Sequence, residues 1–151
     1  MTMGPFTLFN AANKFMGDGT LDLDTNTIKC MAMGSGWTPN AETQSVKANI
    51  VASEVANGNG YVTGGVTVAC TWTRVAKVCT FDSADPAFTG ATASWGMRYL
   101  VWYASGTLNG QVDPLIGYKL VDTTPADVTV AVGSTVTFQI NAAGLYTTTL
   151  P

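Results

Sequence analysis

The pattern of apolar and polar positions changes period once along this chain. Near the N-terminus Leu8, Ala11, Ala12 and Phe15 recur at i, i+3, i+4 and i+7, which gathers them on one face of a helix. Thr7 is placed to cap its start and Gly17 to stop it. Pro5 and the run Gly17-Asp18-Gly19 bracket about two turns, and a helix so short persists only when docked on a larger element.

From Leu21 onward the period becomes that of strands. Residues 27–33 alternate and close on Gly34-Ser35-Gly36, whereas residues 41–50 fit a helical turn or a loop equally. Asn57-Gly58-Asn59-Gly60 predicts a tight turn, because Asn and Gly tolerate positive φ. Residues 66–73 and 75–81 form a predicted hairpin, residues 82–90 a loop around Asp85-Pro86, and residues 91–95 a short strand. Residues 97–103 make the strongest strand, apolar on both faces and therefore expected at the centre of a sheet covered on both sides. A loop over residues 105–114 precedes further strands at 115–121, 128–132, 135–140 and 145–150. About eight short strands with turn signals between them describe an all-β, single-domain β-sandwich or jelly-roll-like fold with one short N-terminal helix. Residues 1–151 are read as one domain, with residues 1–7 as an N-terminal arm.

Composition narrows what such a domain does. Apolar residues make up 46% of the chain, so a core forms without staples, and charged residues only 11%, against about 25% in typical domains. A surface this poor in charge leans towards assembly, since surfaces held against partners shed charge at their centre. The seven Lys and Arg residues are scattered and the net charge is −3, which argues against nucleic acid as a partner. The start Met1-Thr2-Met3-Gly4-Pro5-Phe6 lacks the basic and apolar regions of a signal peptide, and no run of roughly 20 apolar residues exists to span a membrane.

Candidate chemistry is sparse. The chain has no histidine, which removes Ser-His-Asp and Cys-His catalysis and the commonest metal ligand. Cys30, Cys70 and Cys79 show no finger spacing and read as small buried hydrophobes. If Arg74-Val75 centres the hairpin, Cys70 and Cys79 face each other and a cross-strand bridge becomes conceivable. Asp22-Leu23-Asp24-Thr25-Asn26 opens like a calcium loop, but Thr27 stands where an EF-hand needs Gly and Met33 where it needs Glu, so a solvated Asx turn is expected. Glu42, Glu54, Asp82, Asp85 and Asp113 are the carboxylates that could pair in a glycosidase, and each also suits turn formation. Trp37 and Trp72 are the aromatics expected to be exposed, as in a sugar-binding cleft, whereas Trp102 and Tyr103 belong to a core strand. The expectation is no enzyme, no catalytic or metal residues and no cofactor.

An ordered series of short motifs nevertheless resembles a family of small virion proteins of tailed phages. It runs from Gly17-Asp18-Gly19 through Leu21-Asp22-Leu23-Asp24-Thr25-Asn26-Thr27-Ile28-Lys29 to Trp37-Thr38-Pro39-Asn40. Glu54-Val55, Gly58-Asn59-Gly60-Tyr61, Gly64-Gly65 and Phe81-Asp82 follow. The series then passes through Met97-Arg98-Tyr99-Leu100-Val101-Trp102-Tyr103 and Pro114-Leu115-Ile116-Gly117-Tyr118 to Thr137-Phe138-Gln139-Ile140-Asn141-Ala142-Ala143-Gly144-Leu145. The stretches 105–113 and 123–133 depart from the family pattern.

The resemblance implies a capsid decoration, or cement, protein on the exterior of the virion, made in the host cytoplasm. Its partners would be the major capsid protein and its own copies, as a dimer or trimer. Expected docking segments are the arm around Phe6 and Phe9 and the loop 105–113. The alternative is a tail or fibre module that binds carbohydrate, for which Trp37→Ala would abolish binding.

Overall fold

A computed structural model of the chain describes residues 1–124, 127–149 and 151. Its strands, in chain order, are β1 (Thr7–Leu8), β2 (Ile28–Met33), β3 (Val66–Thr67), β4 (Cys70–Val75), β5 (Val78–Ser83), β6 (Ala87–Thr89) and β7 (Trp95–Met97). They continue with β8 (Tyr99–Ala104), β9 (Thr107–Leu108), β10 (Gln111–Val112), β11 (Leu115–Leu120), β12 (Val128–Val130), β13 (Thr135–Thr137) and β14 (Tyr146–Thr149). Among the described residues one α-helix, α1 (Asn10–Gly17), lies between β1 and β2, and two single 3-10 turns cover Lys47–Asn49 and Val51–Ser53. The all-β class with one short helix therefore holds. Leu150 of the predicted last strand lies outside the described residues.

The central sheet runs β1-β11-β8-β2-β3 and is antiparallel at every pairing. Alternation along β8 explains its place at the middle. Leu100, Trp102 and Ala104 join a large core on one face, while Val101 and Tyr103 join a smaller core on the other, with Phe9, Trp37, Ile50 and Leu115. β2 divides in the same way, Cys30 and Ala32 against Met31 and Met33. A strand buried on both faces reads as a continuous apolar run, which is how residues 97–103 stood out.

Against the larger core packs the sheet β14-β5-β4, and three two-stranded ribbons complete the architecture: β9-β10, β7-β12 and β6-β13. This distribution differs from the eight strands in two sheets of a jelly roll.

Several local expectations change. The helix begins at Asn10, with Phe9 in the capping position and no side-chain cap, because Thr7 and Leu8 pair instead with Tyr118 and Gly117 as an edge strand. The arm over residues 1–7 is thus laid down rather than free: Gly4 N–H donates to the Leu120 carbonyl at 2.9 Å, and the Phe6 ring stands edge-on to Trp102 at 5.7 Å. Gly117 makes room for that ring, since a Cβ there would strike it. Phe9 is fully buried. Phe9 is consequently a packing residue, whereas Phe6 packs against Trp102 and stays half-buried.

The β4–β5 hairpin turns at Ala76-Lys77, two residues beyond the expected centre, with Ala76 at a φ of 53°. Cys70 therefore faces Ser83, and Cys79 faces Arg74, so the conceivable cross-strand bridge does not form; all three thiols are free. The predicted loop at 105–114 is itself a small hairpin, β9-β10.

Candidate functional site

Three of the carboxylates that could have formed a catalytic pair accept backbone N–H groups instead. Asp85 accepts the Ile140 N–H at 2.7 Å, Asp113 that of Gly106 at 2.8 Å, and Asp82 that of Ser83 at 2.8 Å. Glu42 is exposed on a turn. Asp22 accepts the N–H groups of Asp24 and Thr25 at 3.0 and 3.1 Å, which is the expected Asx turn, and its own N–H donates to Asn26. Hydrogen bonds from Thr25 and Asp24 hold the Asp22 carboxyl below the usual range. No group of three His, Cys, Asp or Glu residues is placed to hold a metal among the described residues.

Glu54 is the carboxylate the sequence placed least well. It accepts the Tyr61 hydroxyl at 2.7 Å and the Gly64 N–H, while Tyr61 donates no further and instead accepts the Ala32 N–H at 3.1 Å. Tyr103 donates to the Gly64 carbonyl at 2.8 Å, and the Lys47 ammonium lies over the Tyr103 ring at 5.1 Å. Burial first, and then the neighbouring Glu54 carboxylate, pushes the Tyr61 phenol well above its ordinary value. The cluster ties the loop over residues 54–65 onto β2 and β8. Its one orphan atom is Glu54 Oε2, buried without a partner among the described residues.

The Cys30 and Cys70 thiols are poor nucleophiles. Desolvation raises Cys30 strongly and pushes Cys70 up to about 11, so little thiolate forms near neutrality.

The aromatic expectations divide. Trp37 is only 5% exposed, packed edge-on against Tyr99 at 5.2 Å and Tyr118 at 5.4 Å, so it lines no surface cleft. Trp72 is half-buried and does line one, a cleft of about 610 Å³ between the C-terminal end of α1 and the sheet β14-β5-β4. Strand pairing sets Trp72 and Tyr146 on either side of Phe81, and Asn13 and Thr148 add polar groups to the walls. Tyr146 could be placed there only once β14 was paired with β5.

Comparison with protein-family models, with curated proteins and with solved structures finds no match to this chain. No helix among the described residues is long and apolar enough to cross a membrane.

Proposed function

We propose that this chain is a structural subunit of a tailed-phage particle, a decoration protein that bridges major capsid subunits on the outside of the head and associates with its own copies as a dimer or trimer. The observation that carries this reading is a charge-poor chain that exposes several large apolar side chains at or beside its turns. Val75, 76% exposed, and Val78 close the β4–β5 hairpin, Val112 stands on the β9–β10 hairpin, and Val62 and Val132 stand on other turns. Such side chains on a surface with few charges favour contact with protein over contact with water. The docking segments of this reading are the β9–β10 hairpin and the arm around the half-buried Phe6.

A standard interface buries about 800 Å² per partner, and repeated weak contacts around a shell add through multivalency. Binding the assembled shell and not its free subunits stabilises the shell by mass action.

The test is cryo-EM of the particle together with thermal disruption of shells with and without added protein. Hundreds of copies on the head and a raised disruption temperature are expected. Absence from the particle ends the proposal.

One observation favours the second reading, a carbohydrate-binding tail or fibre module: the cleft between Trp72 and Tyr146. Its test moves from Trp37 to Trp72, and glycan binding lost in Trp72→Ala together with a small copy number at the tail would favour it over the first.

A further inference from the structure

Lysine is almost never fully buried unless paired, because taking an ammonium out of water is costly without a compensating charge. Lys119, on β11, is only 8% exposed. The two ion pairs among the described residues are Lys14–Asp18 and Arg98–Asp127, and Lys119 belongs to neither. It lines a cleft of about 570 Å³ whose other walls include the Gln139 and Asn141 amides, the Thr137 hydroxyl, and the apolar side chains of Met1, Met3 and Ile140. Desolvation holds the Lys119 pKa below the ordinary lysine value, the direction expected of a cation with no anion beside it.

We infer that this cleft receives the carboxylate of an aspartate or glutamate side chain from a neighbouring protein chain, with Lys119 as its counter-ion. The identity of that neighbour as a particle subunit rests on the function proposed above; the chemistry of the cleft does not. The Met1 α-ammonium, also at this cleft, is within electrostatic reach of the Asp122 carboxylate, which leaves Lys119 as the cation with no carboxylate beside it; one such cation matches a singly charged group, whereas phosphate or a nucleic acid backbone calls for several. The Gln139 and Asn141 amides and the Thr137 hydroxyl on the same walls supply donor groups for the second carboxylate oxygen. The methionines are adaptable apolar walls suited to the stem of a side chain, which a small hydrated anion lacks.

The inference separates cleanly from a purely structural lysine. Replacing a partly desolvated charge that has no carboxylate beside it with an apolar side chain of similar length relieves that desolvation. Lys119→Met should therefore raise the melting temperature while abolishing recognition. The probes are a short capped peptide with one central glutamate, its glutamine counterpart, and inorganic phosphate, each titrated into the full chain and followed by NMR. Expected are shifts at Lys119, Gln139 and Asn141 with the glutamate peptide alone, lost in Lys119→Met. No shift with that peptide, an equal shift with the glutamine peptide, or a stronger response to phosphate overturns the inference, as does a lower melting temperature for Lys119→Met. Because these titrations involve no shell, they stand or fall apart from the adhesive role. If wild-type protein binds shells and Lys119→Met binds them equally well, the adhesive reading stands and the inference fails.

Discussion

Trp102 donates its indole N–H to the Ser83 hydroxyl oxygen at 3.1 Å, with both residues buried. Trp102 belongs to β8 at the middle of the five-stranded sheet and Ser83 to β5 at the middle of the three-stranded one, so this bond links the two sheets through the larger core. Ser83 in turn donates to the Ala84 carbonyl at 2.9 Å.

Removing that hydroxyl leaves the indole N–H buried without an acceptor. Ser83→Ala should cost about 1–3 kcal/mol, the penalty for an orphaned buried donor. Chemical denaturation reads it directly, and a loss below about 0.5 kcal/mol would show that the indole finds another acceptor.

Gly65 has a φ of 72° and lies against β2, where a Cβ would fall on the Cys30 carbonyl and the Met31 backbone. Neither neighbour is a flexible side-chain end that can swing away. Gly65→Ala should lose at least about 2 kcal/mol, from the left-handed backbone and the backbone clash together. Gly133→Ala makes the control: its φ, 71°, is nearly the same, but its added Cβ meets nothing. The difference between the two melting temperatures isolates the clash from the strain.

Acid should weaken the end of the helix. The Lys14 ammonium, 2.8 Å from Asp18, and hydrogen bonds from Thr20 lower the Asp18 pKa from its ordinary 3.8 to about 2. A carboxyl depressed by folding contributes stability that is complete above the unfolded value and lost as pH falls through the folded one. The Asp18 contribution therefore disappears between pH 3.8 and about 2. Melting temperatures followed by circular dichroism should show Asp18→Asn below wild type at neutral pH and converging with it towards pH 2. Parallel curves over that window would refute the assignment.

Cys70 and Cys79 should not bridge in oxidising buffer. Mass spectrometry without reductant should find no Cys70–Cys79 link, because the strand register opposes each of them to a residue that is not cysteine. With Cys70 pushed up to about 11, its alkylation should be slow at neutral pH and accelerate steadily into the alkaline range. Fast labelling of Cys70 at neutral pH would contradict its desolvation.

What the sequence determined by itself was carried by local pattern. β8 was legible because its apolar residues occupy both faces, and the Asx turn at Asp22 because its partners lie within four residues. The turn at residues 57–60 was legible too, since Asn59 adopts a φ of 55° that Asn tolerates. Tertiary structure decided what depends on distant partners. Thr7 and Leu8 look like the start of a helix until β11, more than a hundred residues later, offers them backbone hydrogen bonds. Ala76 carries no mark of a left-handed turn, yet the packing of Phe81 and Ser83 on the core sets the register of the β4–β5 hairpin and places the turn there. Trp37 is hidden by Tyr99 and Tyr118, and the Lys119 cleft exists only where β11 meets the segment following β13. Hydrogen-bond period and turn preference are properties of a few consecutive residues, whereas register, burial and the walls of a cleft depend on which distant segment arrives opposite.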